Sequence, residues 1–203
     1  FRSSVGVLRD IRRTGAYTTP PTSGNVFRRD VCEILREAEY DRAVDGVILF
    51  AAPFMGDIVS LSEDLARYRI HGRNDSGIGQ HVDPILLQRD IDRYMARMDH
   101  LRRVLKRIDP HARLVASRRE WYYVDRRFLL AIASGRRPDL LSFFHLIPYI
   151  SQGNGSIKEK IALSLFAALG MILPNRYARR LLDYRLKAGD RSAKGLLQAL
   201  LSA

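Results

Sequence analysis

Side chains suited to acid–base and anion chemistry are concentrated between Thr22 and Ser76. Asp45 stands directly before an apolar run, Gly46 to Phe54, so we expect it at the N-terminus of a helix that breaks at Pro53 and closes at Gly56. A carboxylate held there can either cap the helix or act as a base. Further along, apolar and polar residues alternate from Leu65 to Gly72, and this pattern predicts a strand. One face of that strand carries Arg67, Arg69 and His71.

Short polar segments surround these two elements. Thr22, Ser23 and Asn25 lie in an extended piece that contains a glycine, where they can bond the hydroxyls of a sugar or form an ordinary polar turn. A further strand is predicted from Asp57 to Leu61. The adjacent acids Glu63 and Asp64 follow it, and they either compete with the aspartate before the apolar helix for the role of a base or are solvated turn residues.

The order of these segments is similar to that in a known enzyme family. The segments are Thr22-Ser23-Gly24-Asn25-Val26-Phe27-Arg28-Arg29, an acidic residue just ahead of an apolar helix, and Tyr68-Arg69-Ile70-His71-Gly72-Arg73-Asn74-Asp75-Ser76. Together they resemble the second half of bacterial family 2 glycosyltransferases, the inverting enzymes with the GT-A fold. The resemblance covers residues 1–76 and, beyond them, only general character. It implies that this chain is the C-terminal part of such an enzyme.

The resemblance also implies roles for individual side chains. Asp45 takes the place of the general base that removes the proton of the attacking acceptor hydroxyl, although the Glu-Asp pair usual there is Val44-Asp45 in this chain. His71 is expected to help hold a divalent metal or the pyrophosphate, and the alternative is an ordinary surface histidine. The expected substrate-binding residues are Thr22, Ser23, Asn25, Arg69, Arg73 and Asn74, and the arginines would neutralise phosphate charge as the nucleoside diphosphate departs.

A nucleotide-binding half is the other implication of the resemblance. In that half Mn²⁺ or Mg²⁺ is held mainly by an Asp-x-Asp motif that follows a strand. No alternating βαβ pattern precedes Thr22, so we expect that half, and most of the metal site, outside this chain. The chain opens on Phe1, and we expect it to be a fragment that is inactive alone. The single cysteine, Cys32, excludes an intrachain disulfide and favours a reducing compartment.

The net charge of +12 belongs to the second part of the chain. Residues 1–76 hold 11 Lys and Arg against 11 Asp and Glu, whereas residues 77–203 hold 23 against 11. Apolar residues recur at helical spacing from Ile85 to Ile108, and again within a segment from about Ala112 to Ser134, which predicts two helices. Aromatic residues of the second helix alternate with arginines, a pattern typical of core packing with a basic outer face or, alternatively, of nucleic-acid binding.

A run of 14 residues without charge, Ile161 to Pro174, lies between clusters of basic residues. It is shorter than the roughly 20 residues that a bilayer span requires. We expect either an interfacial element lying on anionic lipid or a buried hairpin helix.

The resemblance implies an α/β fragment at residues 1–76, the acceptor-side part of a GT-A domain. The charge and periodicity patterns predict a mainly α-helical, basic, membrane-associated extension at residues 77–203. The expected function is inverting transfer of a sugar from a nucleotide-sugar donor to a glycan or lipid-linked acceptor in cell-envelope polysaccharide synthesis. The expected location is the cytoplasm, at the inner face of the plasma membrane, on an anionic membrane surface and with no nucleic-acid partner. The alternative is a non-enzymatic basic helical module that binds RNA or anionic lipid.

Overall fold

The computed structural model describes residues 4–14, 17, 24–39, 45–61, 63, 65, 67, 69, 82–153, 155–186 and 195–196. Their regular secondary structure is helical. The helices are α1 (Ser4–Thr14), α2 (Arg29–Cys32), α3 (Asp45–Met55), α4 (Pro84–Ile108), α5 (Trp121–Ala133), α6 (Leu140–Gln152), α7 (Ile157–Ile172) and α8 (Asn175–Leu186), with 3-10 turns at Glu33–Glu37 and Ser117–Arg119.

The prediction of an α/β fold for the first part of the chain is wrong. None of the described residues is in a β-strand, and this includes those within the two predicted strands, Asp57 to Leu61 and Leu65 to Gly72. The apolar side chains Val59, Leu61 and Leu65 are 62% to 70% exposed, so they do not form the buried face of a sheet. Alternation favours a strand only where neighbouring strands cover one face, and the regular elements described before Asp57 are helices.

The chain divides into two compact units. The first contains Phe1–Arg69 and Asp92–Tyr122, and the second contains Ile70–Ile91 and Tyr123–Ala203. Helix α4 therefore contributes its first turns to the second unit and the rest to the first. The predicted division of the chain at residue 76 stays a prediction.

The core of the first unit forms around α3, which packs on α1 and α2. Val7 and Ile11 are buried one turn apart on α1. Val31, Ile48 and Ala52 form a second buried cluster. Phe27, Cys32, Leu35, Met55 and Ile58 pack against that cluster. The single cysteine is thus a half-buried packing residue with a free thiol.

Helix α3 continues through Pro53, so the predicted break at this proline is wrong. A proline inside a helix has no N–H to donate to the carbonyl four residues earlier, which here belongs to Leu49. The hydroxyl of Tyr17 donates to that carbonyl at 2.7 Å. Because Tyr17 supplies the missing donor, the helix can pass the proline and end at Met55, just before Gly56.

Helix α5 starts later than predicted. The segment from Ala112 is not helical, because Arg102 of α4 donates to the Val115 carbonyl and to the Ser117 hydroxyl and holds this stretch as a loop with a 3-10 turn. The end of α5 is as predicted. Gly135, at φ 69°, allows its own N–H and that of the next residue to close the helix on carbonyls of the last turn.

The second unit is a packed set of helices. Helix α7 contacts both α6 and α8. Gly170 of α7 lies against α5, since a Cβ at this position would be 3.0 Å from Cδ1 of Ile132 and 3.1 Å from Cε1 of Phe128. The largest side chains of this unit that are fully buried, less than 2% exposed, are Phe128, Leu129, Ile132 and Leu182. Among the described residues, no helix is both long and apolar enough to cross a membrane.

A mostly buried ion pair joins α5 to α8. Nη2 of Arg185 donates to Oδ1 of Asp125 at 2.8 Å. The same guanidinium lies 4.5 Å from the ring centroid of Phe166 on α7. One arginine of α8 therefore contacts two other helices, α5 through a charged hydrogen bond and α7 through a cation–π contact.

Candidate functional site

The start of α3 contains the predicted base of the candidate site. Asp45 is the first residue of this helix, as predicted. The helix forms here because Val47, Ile48 and Ala51 present one apolar face that other helices of the same unit bury. The first backbone N–H groups of a helix lack intrahelical acceptors, and the helix dipole is positive there. This end of α3 therefore favours a negatively charged group.

Arg97, on α4, adds a cation at this end of α3. Its guanidinium lies so close to Gly46 that a Cβ on Gly46 would overlap Nη1 and Cζ and would be 2.9 Å from Nε. A glycine at this position is what lets the guanidinium reach the backbone. The structure thus places a positive charge beside the residue that follows Asp45, where it suits a carboxylate or a phosphate. Sequence reasoning missed Arg97, because it is one of many polar residues between the apolar positions of α4.

The other predicted binding residues are only partly described. Asn25 is half-buried and Arg69 is exposed. Glu63, one of the two competing acids, is exposed as expected for a turn residue. The predictions for Thr22, Ser23, Asp64, His71, Arg73 and Asn74 lie outside the described residues. Their grouping into one site stays a prediction.

In the part of the chain that the structure describes, no group of three or more His, Cys, Asp or Glu side chains is arranged to hold a metal ion. The sequence does contain an Asp-x-Asp, Asp90-Ile91-Asp92, but it lies within helix α4. Side chains two residues apart on a helix point in directions about 200° apart, so these carboxylates do not converge. Asp90 instead lies 3.7 Å from Nη2 of its neighbour Arg89. The Mn²⁺ or Mg²⁺ site implied by the resemblance is not formed by this motif.

Glu120 is a buried acid that sequence reasoning also missed. Its side chain is fully buried, and neither carboxylate oxygen has a hydrogen-bond partner among the described residues. This burial raises the pKa of Glu120 from 4.5 to about 8. It follows two arginines within the segment predicted as a helix from about Ala112 to Ser134, and nothing in that pattern distinguishes this acid from an exposed one. With a pKa of about 8, the carboxyl group of Glu120 carries its proton at neutral pH.

A second buried titratable group, His100, lies beside Glu37. Nε2 of His100 is 3.6 Å from Oε2 of Glu37, and burial is the main cause that lowers the pKa of His100. Arg107 donates two hydrogen bonds to the same carboxylate, at 2.8 and 2.9 Å, and these bonds lower the pKa of Glu37. The arrangement joins α4 to the 3-10 turn at Glu33–Glu37, and we assign it a structural role.

Comparison with known proteins supports one enzyme class. The chain is similar to a protein of Nostoc sp. (strain PCC 7120) named as an uncharacterized glycosyltransferase, with 42% identity over 69 residues. That match covers 32% of this chain and 21% of the relative, so the chain spans about a fifth of the relative's length. No family model matches the chain. No solved structure matches it either.

Proposed function

We propose that this chain is part of a glycosyltransferase. The observation that carries the proposal is the 42% identity over 69 residues to a protein named as a glycosyltransferase. The order of the segments Thr22 to Arg29 and Tyr68 to Ser76, which resembles family 2 glycosyltransferases, supports the same class from a different direction.

The proposed reaction is transfer of a sugar from a nucleotide-sugar donor to an acceptor hydroxyl with inversion at the anomeric carbon. The acceptor oxygen attacks this carbon and loses its proton to a base. The bond from the anomeric carbon to the diphosphate oxygen breaks, and its electron pair leaves with the nucleoside diphosphate. Such a step needs a carboxylate within about 3 Å of the acceptor oxygen and cations around the leaving diphosphate.

Asp45 is the proposed base. Its place as the first residue of α3 supports this role, because a helix N-terminus stabilises a carboxylate in a fixed position. Arg97, packed against Gly46, is the cation that would either orient this carboxylate or stabilise the departing phosphate.

The remaining parts of the proposed site follow the resemblance. His71 would contact the divalent cation, Mn²⁺ or Mg²⁺, while Arg69, Arg73 and Asn74 would contact the diphosphate. Three polar residues, Thr22, Ser23 and Asn25, would bond sugar hydroxyls. We place the nucleotide-binding part elsewhere in a longer protein, of which this chain would supply the acceptor side. The share of the relative that the chain covers, 21%, is compatible with that division.

The acceptor in this proposal is a glycan or a lipid-linked precursor used in cell-envelope polysaccharide synthesis. The reaction would take place in the cytoplasm at the inner face of the plasma membrane, where such precursors are built. The reaction involves no nucleic acid.

The test compares aspartate variants of the complete protein that contains this chain. Asp45→Asn should abolish release of nucleoside diphosphate, by about 100-fold or more, while the dissociation constant of the nucleotide sugar stays within about twofold. Asp83→Asn is the matched control, because Asp83 also stands at a helix start, where it accepts from the Ile85 N–H at 2.8 Å. Glu63→Gln tests the competing acid. Full activity in Asp45→Asn, or its loss only in Glu63→Gln, would contradict the role of Asp45.

A further inference from the structure

Helix α7 leaves an aliphatic face uncovered in the second unit. Ile157, Ile161, Leu165 and Ile172 are between 50% and 75% exposed. At about 100° per residue, these four side chains fall within an arc of about 80°. They therefore form one continuous stripe along the helix, which we call the α7 stripe.

The opposite side of α7 is the buried one. Phe166, Ala167 and Gly170 are buried, and Phe166 also contacts Phe128 of α5 at a ring-centroid distance of 6.1 Å. The first turn is fixed by a capping box, in which Ser156 and Glu159 bond each other's backbone N–H groups. The stripe thus belongs to a helix that is anchored on its other side and at its start. Its exposure is a property of the folded second unit.

Helix α6, which packs against α7, also has exposed apolar side chains. Leu140, Leu141 and Phe144, within its first two turns, are each more than 60% exposed. The helix contains no charged residue. Apolar exposure of this extent on two adjacent helices indicates a surface that is covered by a partner in use.

Basic residues lie at both ends of the stripe. The charged residues of α7 are all in its first turn, and of these Lys158 is exposed while Lys160 donates to the Ser151 carbonyl. No charged residue follows until Arg176, and Arg176 and Arg179 are exposed on α8. Between Arg137 and Arg180 the acidic residues are Asp139 and Glu159, and both are engaged in helix caps. The stripe is aliphatic, has cations at each end and has no acid along it. It is therefore complementary to a surface that carries negative charge outside and is apolar underneath.

We propose that the α7 stripe is a docking surface for a membrane that contains anionic lipid. The helix would lie in the plane of the interface, with the four aliphatic side chains below the headgroups and Lys158, Arg176 and Arg179 at the lipid phosphates. This inference stands on the second unit and does not depend on sugar transfer. It replaces the expected choice between an interfacial element and a buried hairpin, since α7 is buried on one side and exposed on the other.

Two other occupants fit the surface less well. A second copy of the chain would bring like charges together, because cations flank the stripe at both ends and either direction of pairing places one cation opposite another. RNA would need bases to stack on aromatic side chains, whereas the stripe consists of Ile and Leu alone.

The test is co-sedimentation of the full 203-residue chain with vesicles of phosphatidylcholine, with and without phosphatidylglycerol. The unaltered chain should bind the anionic vesicles at least about tenfold more strongly than the neutral ones, and more weakly as salt is raised. The aliphatic variant Ile161→Gln, Leu165→Gln, Ile172→Gln should reduce binding by about tenfold or more. Circular dichroism and the thermal unfolding midpoint of each variant establish that it is folded.

Matched controls make the same chemical changes elsewhere. Val59→Gln, Leu61→Gln, Leu65→Gln replaces equally exposed aliphatic residues of the first unit and should leave binding within about twofold. Lys158→Gln, Arg176→Gln, Arg179→Gln should weaken binding to anionic vesicles, whereas Lys106→Gln, Arg113→Gln, Arg118→Gln should weaken it less. The proposal would be overturned if the aliphatic variant bound anionic vesicles as strongly as the unaltered chain, or if the chain bound neutral and anionic vesicles equally. It would also be overturned if the aliphatic variant changed only the self-association of the chain and left vesicle binding unchanged.

Discussion

At the residue scale, Tyr17 shows how one side chain can correct a local conflict in the sequence. Pro53 removes a backbone donor from the middle of α3, and the Tyr17 hydroxyl supplies another donor to the Leu49 carbonyl at 2.7 Å. Burial raises the pKa of Tyr17 to about 12, so the hydroxyl keeps its proton at any physiological pH. Sequence reasoning could not identify this bond, because the two residues are far apart in the chain.

We predict that Tyr17→Phe destabilises the first unit. The ring is kept and the hydroxyl is lost, so the Leu49 carbonyl is left without a donor at a cost of about 1–3 kcal/mol in the free energy of unfolding. The measurement is urea unfolding of the chain followed by circular dichroism. Tyr123→Phe, at a half-buried tyrosine of α5, is the control. An equal, small effect of both changes would show that the Tyr17 bond does not support α3.

Glu120 predicts a dependence of stability on pH. Its pKa is about 8 in the folded chain, against 4.5 ordinarily, so the folded state holds the proton more tightly than the unfolded state does. Between about pH 5 and pH 8 folding stability should therefore fall as pH rises, by at most about 1.4 kcal/mol per pH unit. Above the folded pKa the full cost of the buried charge is present. Below the unfolded pKa this cost is absent.

The comparison of the chain with Glu120→Gln isolates this effect. Burial lowers the pKa of His100, so its contribution has the opposite sign, and stability falls as pH falls. The relevant quantity is thus the difference in unfolding free energy between the two proteins, measured at several pH values. The account expects this difference to change steadily from about pH 5 to pH 8. A difference that does not change with pH would show that ionisation of Glu120 does not lower the free energy of unfolding.

At the scale of elements, hydrophobic periodicity predicted helices correctly but wrongly predicted β-strands in the first part of the chain. The stripe from Ile85 to Ile108 is long and regular, and α4 forms over Pro84–Ile108. The predicted strands at Asp57 to Leu61 and Leu65 to Gly72 did not form among the described residues, because a short alternation is a weak signal. Alternation over a few residues is equally compatible with an exposed, irregular segment, and only a partner strand decides between the two. Val59 and Leu65 are exposed because no described strand lies beside them.

The ion pair between Asp125 and Arg185 gives a prediction for the second unit. Removing one partner leaves a mostly buried charge without its counter-charge, so Arg185→Met should lower the free energy of unfolding by about 3–5 kcal/mol. The double change Asp125→Leu, Arg185→Met should recover most of that loss, since two apolar residues can replace a buried pair. Thermal and urea unfolding measure both effects.

An exposed ion pair provides the control for that experiment. Nε of Arg36 lies 2.8 Å from Oε2 of Glu33, but both side chains are largely exposed to solvent. Arg36→Met should therefore change stability little. If it destabilised the chain as much as Arg185→Met does, the burial of the α5–α8 pair would not explain its contribution.

At the scale of the whole molecule, the candidate site was predictable only in part. The position of Asp45 at the start of an apolar helix follows from the sequence, and α3 begins there. The proximity of Arg97 to Gly46 does not, because it depends on how α4 packs against α3 across about 50 residues of chain. The sequence alone left both outcomes open for the exposed face of α7, since an uncharged, apolar run fits both a core helix and an interfacial one.

The proposed function, sugar transfer from a nucleotide donor by the protein that contains this chain, has one direct test. The most direct measurement incubates the complete protein with a panel of uridine, guanosine and thymidine diphosphate sugars, Mn²⁺ and an extract of envelope glycans. Phosphorus NMR then follows donor consumption. The account predicts that at least one donor is converted to its nucleoside diphosphate, with the sugar recovered on the acceptor in the opposite anomeric configuration. A folded protein that neither binds nor consumes any of these donors would contradict the account.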